Sequence, residues 1–119
     1  MNPLGLITAL STFLGIWLGH VSVRAIERRT ADLRIPIAIA LALGLGLELW
    51  SLTTDYRSLS VATGVFGITV LWDALEFVRQ EKRIQRGHAP ANPDNPRHQR
   101  ILAEFESATT ENPFEKIHH

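Results

Sequence analysis

Apolar residues are concentrated in three long segments of the chain, and a polar segment follows them. The apolar segments cover Asn2–Val23, Ile35–Thr54 and Ser58–Val78. A bilayer core about 30 Å thick is crossed by about 20 residues of α-helix. Large and small apolar residues alternate over residues 37–47, but an isolated strand cannot satisfy its backbone in lipid, so we expect helix there too. The pattern predicts a transmembrane domain over residues 1–86, with helices at about 3–27, 35–54 and 58–86.

Residues 87–119 form a polar tail that begins with a proline-rich stretch. Pro90, Pro93 and Pro96 favour extended backbone without regular hydrogen bonding. Residues 97–109 are compatible with a short helix that has apolar residues on one side. A polar tail of this kind is not expected to build a core of its own, so we expect it to be mobile or to lie along a partner. The predicted fold class is an all-α integral membrane protein with three transmembrane helices and a mostly extended cytoplasmic C-terminal tail.

The basic residues indicate how the three helices are oriented. Of the 12 Lys and Arg residues, all but Arg57 fall in the first connecting loop and its edges or after the third apolar segment. Cytoplasmic flanks of membrane helices are enriched in Lys and Arg. We therefore expect a multi-pass protein of the prokaryotic cytoplasmic (inner) membrane, with the N-terminus outside and the C-terminus in the cytoplasm. The formal net charge is zero, but this is an average over a strongly apolar region and a polar region, and it does not indicate a nucleic-acid partner.

Small residues recur at helical spacing in each apolar segment. Glycine and other small residues let membrane helices approach each other closely. We therefore expect these positions to mediate helix packing, either within the chain or against another membrane protein. The candidate packing glycines are Gly15, Gly19, Gly44, Gly64 and Gly67.

Several polar side chains lie within or at the edge of the apolar segments. Charged groups in lipid are costly, so they usually face protein, water or a partner. At about 100° per residue, two polar faces, one on the first helix and one on the third, converge on the cytoplasmic boundary. We expect them to form interhelix contacts or to dock on a partner subunit. The candidates are His20, Arg24, Glu27, Glu48, Asp73, Glu76 and Gln80.

The sequence does not contain a recognisable catalytic or metal-binding motif. The chain has no cysteine, no nucleophile–base constellation and no phosphate-binding glycine loop. We therefore expect neither an enzyme nor a small-molecule substrate, and no cofactor or metal is predicted. Two alternatives remain open: His20 could be a single axial ligand to haem or chlorophyll, and Glu48 could serve a small proton-coupled transporter or channel.

Three parts of the chain together resemble a known family. They are a Gly-His-x-x-x-Arg-x-x-Glu run over Gly19–Glu27, the segment from Gly64–Gly67 to Gln80–Arg83, and the Gly87–Pro93 stretch. The chain is similar to an uncharacterised family of small prokaryotic three-helix membrane proteins, a domain of unknown function. The resemblance covers about residues 4–98 and leaves most of the tail as an extension. It implies a topology and a signature surface but no activity.

Considered together, these features favour an accessory subunit. Three short helices have too little interior for a transport path, and the tail is suited to lie along another protein. We expect the protein to assemble and stabilise a larger membrane complex, such as a respiratory or photosynthetic electron-transfer assembly. Its expected partners are the subunits of that complex and membrane lipids.

Overall fold

The computed structural model describes residues 1–112 and contains four helices in that range. They are α1 (Leu4–Arg29), α2 (Arg34–Thr53), α3 (Arg57–Gln85) and α4 (Pro96–Glu104). The first three are each long and apolar enough to cross a membrane. The predicted all-α class and the three helices of membrane-spanning length are therefore confirmed.

The central element of the fold is α3, because α1 and α2 each pack mainly against α3 and much less against each other. The molecule measures 54 × 32 × 17 Å along its principal axes. A thickness of 17 Å is little more than one helix with its side chains. The three long helices therefore form a thin layer with little interior, and most of their side chains face outward.

Both contacts with α3 depend on small residues. A Cβ atom added at Gly15 would lie 2.7 Å from Thr69 Oγ1, and one at Gly19 would lie 2.6 Å from Asp73 Oδ1. On the other side of α3, a Cβ at Gly44 would lie 3.0 Å from the carbonyl oxygen of Gly67. The contact is reciprocal, since a Cβ at Gly67 would lie 3.1 Å from the carbonyl oxygen of Gly44. Where Gly44 faces Gly67, the backbones of α2 and α3 approach so closely that a side chain would push the two helices apart.

The outward faces of α1, α2 and α3 are apolar. Large side chains such as Phe13, Ile39, Leu45 and Ile68 are each at least 60% exposed. A monomeric soluble protein rarely exposes a contiguous apolar surface of this extent. The small buried core consists of Val23, Ala40, Ala74 and Phe77. This distribution is typical of helices that are solvated by lipid.

Residues 87–112 of the tail fold back onto the end of the helical layer, which corrects the expectation that this segment would be mobile or lie on a partner; residues 113–119 lie outside the described range. Gly87 ends α3 with a positive φ of 76°, and the chain then reverses direction. Ala89, Ala91 and Ile101 bury Ile84, which lies in the last turn of α3. The tail thus forms a second small core, because small residues in the proline-rich stretch let it pack closely on α3.

The helix in the tail is shorter than the sequence predicts. It begins at Pro96, where the side chain of Asn95 accepts a hydrogen bond from the backbone N–H of Arg97 at 2.9 Å. An Asn at the N-cap followed by Pro in the first turn is a strong helix start. The helix ends at Glu104, although the predicted range extended to residue 109. The backbone N–H of Ala91 instead donates to the carbonyl oxygen of Thr109 at 2.8 Å, which holds the following segment against the proline-rich stretch.

Candidate functional site

A buried ionic cluster connects α1 with the tail. Its centre is Glu27, whose side chain is completely buried and whose Oε1 lies 2.6 Å from His98 Nε2. Arg97 Nη2 lies 3.3 Å from Glu27 Oε1, and Arg97 Nη1 lies 2.7 Å from Glu81 Oε2. We call Glu27, Glu81, Asn95, Arg97 and His98 the tail anchor. Buried charges are tolerated only when they are paired and hydrogen-bonded, and here each charge has an opposite partner.

The hydrogen bonds of His98 define the tautomer of its ring. Its Nδ1 accepts a hydrogen bond from the backbone N–H of Asn92 at 2.8 Å. An Nδ1 that accepts carries no proton, so Nε2 must carry the hydrogen and donate it to Glu27. His98 therefore connects the proline-rich stretch to the carboxylate of α1 through both ring nitrogens.

The tail anchor also satisfies the last carbonyl groups of α1. The final four carbonyls of a helix have no partner within the helix itself. Asn95 Nδ2 donates to the carbonyl oxygens of Arg28 and Thr30, each at 3.0 Å. Arg97 Nη2 donates to the carbonyl oxygen of Glu27 at 2.6 Å. Tail side chains thus cap the end of a membrane-length helix.

The loop at the same end is fixed by a local ion pair. Arg34 Nε lies 3.1 Å from Asp32 Oδ1, and the backbone N–H of Arg34 donates to the same oxygen. The side-chain hydrogen bond from Arg34 lowers the pKa of Asp32 below its ordinary value. The ionised carboxylate therefore lies just before the N-terminus of α2, where negative charge is favourable.

A second polar group lies within the apolar spans of α1 and α3. His20, Asp73 and Glu76 line a cavity of about 410 Å³ whose other walls include Trp72. Glu76 Oε1 pairs with Arg79 Nη1 at 3.0 Å, and the Arg79 guanidinium lies 4.9 Å from the centre of the Trp72 ring. Within residues 1–112, neither a hydrogen bond nor an ion pair reaches the side chain of His20 or Asp73. These two groups are therefore open to a further contact.

Glu48 lies in the other interhelix contact, between α2 and α3. Its carboxylate rests against Gly67, and Oε1 is buried without a hydrogen-bond partner in the described part of the chain. Closer to the loop between α2 and α3, Ser51 Oγ donates to the carbonyl oxygen of Ser60 at 2.6 Å, and Ser60 Oγ donates to that of Ser51 at 2.8 Å. The α2–α3 contact is thus closed by hydroxyl groups at one end and by the two glycines near its middle.

The predicted polar faces of α1 and α3 line shared cavities, His20 with Asp73 and Glu76 in one and Arg24 with Gln80 in another. Within the described residues, no hydrogen bond or ion pair runs directly between α1 and α3. Arg97 bridges them instead, by contacting Glu27 of α1 and Glu81 of α3. Arg24 and Gln80 line a separate cavity of about 260 Å³ at the same end. Among the described residues, the ionic connection between the two helices therefore comes from the tail, whereas their direct contact is through packing.

Sequence reasoning did not identify the tail residues of the anchor. Its members outside the predicted set are Glu81, Asn95, Arg97 and His98. One signal was available, because an Asn-Pro pair followed by polar residues marks a helix start and places Arg97 and His98 in its first turn. Nothing in the spacing indicated that this turn would reach Glu27, since the contact spans 71 residues.

Comparison with known proteins identifies a family. No curated protein and no solved structure matches the chain. The family model described as "Domain of unknown function (DUF4491)" matches residues 2–95. The matched range contains α1, α2, α3 and Glu27, whereas Arg97 and His98 lie beyond it. Because this match covers most of the sequence, the chain belongs to the DUF4491 family.

Proposed function

We propose that this protein spans the prokaryotic inner membrane three times and serves as an accessory subunit of a larger membrane complex. In this arrangement the N-terminus is outside and the tail is in the cytoplasm. The complex would be of the class that includes respiratory and photosynthetic electron-transfer assemblies. The observation that carries the proposal is the pair His20 and Asp73, which lie at membrane depth without a hydrogen-bonding partner in the described chain.

The cost of polar groups in lipid is the physical reason for a partner. A charged side chain near the centre of a bilayer costs about 2.5–3.5 kcal/mol on insertion scales, and such groups therefore face protein or water. His20 is exposed, and Asp73 is partly exposed at the wall of an open cavity. A layer only 17 Å thick cannot enclose them. A neighbouring subunit would supply the missing contacts.

The opposite face of the layer supports the same proposal. A groove of about 540 Å³ runs between α1 and α2, with α3 as its floor. Its walls include Gly15, Gly19 and Ala40, and its lining is mostly apolar, with Ser22, Thr30, Thr69 and Asp73 as the polar residues. Small residues allow a further helix to approach closely. A helix of another subunit would fill this groove and cover the exposed faces of α1 and α2.

Native extraction tests the proposal. We expect the full-length protein, tagged in its own host and extracted in a mild detergent, to migrate with partner subunits at a mass far above that of the monomer. The double change His20→Ala and Asp73→Ala should release it from that assembly. The matched control Asp55→Ala, in the exposed loop between α2 and α3, should not. A monodisperse monomer or homodimer from the native host would overturn the proposal.

One observation favours a second function for the same residues. His20 opens into a cavity whose walls include the apolar side chains of Ile16, Ile68 and Trp72 beside Asp73 and Glu76, and an imidazole there could be a single axial ligand to haem or chlorophyll. An absorption spectrum of the native-extracted protein decides this alternative. A Soret or chlorophyll band that disappears in His20→Ala would establish it, and identical featureless spectra would exclude it.

A further inference from the structure

The cavity of about 260 Å³ at the tail end of α1 and α3 has an unusual charge composition. Three arginines line it, namely Arg24, Arg28 and Arg83, together with His88. Among residues 1–112, the only acidic residue of its lining is Glu27, whose carboxylate is completely buried and already contacts Arg97 and His98. The cavity therefore carries an excess of positive charge.

The arginines are held by neutral acceptors. Arg83 Nη1 donates to Gln80 Oε1 at 3.2 Å, and Arg28 Nη1 lies 3.5 Å from the carbonyl oxygen of Pro90. Within the described residues, no carboxylate lies within ion-pair distance of Arg24, Arg28 or Arg83. These contacts orient two guanidinium groups without neutralising them. A guanidinium fork of this kind recognises phosphate with paired hydrogen bonds.

The basic cavity lies along the same faces of α1 and α3 as the cavity that His20 and Trp72 line, and we call the two together the crevice. On α1, Ile16, His20, Arg24 and Arg28 follow each other at steps of four residues, and such residues lie on one helix face. On α3, the same crevice runs from Ile68 to Arg83. Each step of four residues advances about 6 Å along the helix. The surface thus changes from apolar to basic within about two to three helical turns, with Asp73 and the Arg79-paired Glu76 between the two ends.

This gradient matches an amphiphile with an anionic phosphate. Basic pockets between membrane helices on the cytoplasmic side bind the head groups of anionic lipids. We propose that the crevice between α1 and α3 is a binding site for an anionic phospholipid. The arginines Arg24, Arg28 and Arg83 bind its phosphate, and Ile16, Ile68 and Trp72 contact an acyl chain. The inference depends on the membrane insertion proposed above but not on any partner complex.

Tryptophan quenching tests the site on the isolated full-length protein. In a background of Trp17→Phe and Trp50→Phe, Trp72 is the only remaining tryptophan. Brominated phosphatidylglycerol should quench it at lower lipid fractions than brominated phosphatidylcholine. Since each arginine near an anionic lipid surface contributes roughly fivefold in affinity, Arg24→Gln with Arg83→Gln should reduce the preference by about 30-fold. The matched control Arg29→Gln with Arg86→Gln removes the same charge at the same end, outside the cavity.

The outcomes separate the possible ligands and the two proposals. Loss of the preference only in the Arg24/Arg83 pair supports the lipid site, and equal loss in both pairs overturns it. If glycerol 3-phosphate or inorganic phosphate binds in detergent as tightly as phosphatidylglycerol, the phosphate site stands and the lipid assignment fails. Should the double variant not fold, as judged by its melting temperature in phosphatidylcholine, Arg24→Gln alone provides the test. None of these results depends on whether a partner complex exists.

Discussion

His98 Nε2 lies 2.6 Å from Glu27 Oε1, and both side chains are completely buried although 71 residues separate them in the chain. Glu27 lies near the end of α1, and His98 lies in the first turns of α4. The contact joins the first membrane-length helix to the last described helix. The tail is therefore an integral part of the fold of the helical layer.

Removing the carboxylate of Glu27 should destabilise the tail anchor. Glu27→Ala leaves Arg97 and His98 buried without their shared acceptor, and breaking a buried ion pair costs about 3–5 kcal/mol. We expect a lower free energy of unfolding in detergent and faster proteolysis after residue 87. Glu27→Gln keeps an acceptor for His98, so its unfolding free energy should lie between those of Glu27→Ala and the unmodified protein.

The control for this prediction is Glu104→Ala, which removes an exposed carboxylate from the end of α4. It should leave both the unfolding free energy and the proteolysis rate close to those of the unmodified protein. Equal effects of the Glu27 and Glu104 changes would mean that the tail is not held by the anchor.

Asn95 should be the second most sensitive position in the tail. Its amide donates to two carbonyls at the end of α1, and its oxygen caps α4. Loss of an N-cap alone costs about 0.5–2 kcal/mol, and loss of the two further hydrogen bonds adds to this. Hydrogen exchange of Asn95→Ala should accelerate at both helix ends, around residues 28–34 and 96–99. The neighbouring change Asp94→Ala, at an exposed side chain, should leave the exchange pattern unchanged.

The close approach of α2 and α3 predicts a sharp contrast between glycines. At Gly44 and Gly67 a methyl group would meet the backbone of the facing helix, and overpacking costs about 1–3 kcal/mol. At Gly46, two residues from Gly44 on the same helix, nothing lies within 4 Å of an added Cβ. Gly46→Ala should therefore be neutral or stabilising by up to about 1 kcal/mol, because alanine favours helix. Unfolding in mixed detergent micelles compares the variants, and equal destabilisation at Gly46 and Gly67 would contradict the packing.

The helical layer was predictable from the sequence because its signals are local. The length of each apolar segment predicts one of the three long helices, and the small residues mark the helix faces that pack on α3. Gly44 and Gly67 illustrate this, since a residue without a side chain at a helix crossing needs no long-range information.

The tail anchor was not predictable, because it depends on where the chain returns. Nothing in the local sequence distinguishes Arg97 and His98 from other tail residues. They reach Glu27 because the chain reverses at Gly87 and because Ala89 and Ala91 pack on Ile84. Composition correctly indicated that the tail is polar. It did not indicate that polar side chains could cap α1, because that contact requires the geometry of the turn.

The distribution of basic residues predicts that the loop before α3 and the segment after α3 lie on opposite sides of the membrane. The chain lacks cysteine, so single cysteines report without background. A membrane-impermeant maleimide should label Asp55→Cys in intact spheroplasts and should label Asp94→Cys only after lysis. Both positions are exposed, so accessibility within the protein does not limit the reaction. Labelling of both from the same side would contradict the three-pass topology.

Glu48 should serve packing and not proton transport. Its Oε1 is buried against Gly67, and towards the start of α2 the α2–α3 contact continues through Gly44, Leu71 and Ala40, which offer no polar side chain. A proton path needs polar groups or water on both sides of the relay residue. We therefore expect reconstituted protein to show no proton flux above that of empty liposomes, and Glu48→Gln to change nothing in that measurement. The same variant should unfold within about 1.5 kcal/mol of the unmodified protein, because it keeps the size of the side chain. A flux that Glu48→Gln abolishes would instead establish a proton-coupled transporter or channel.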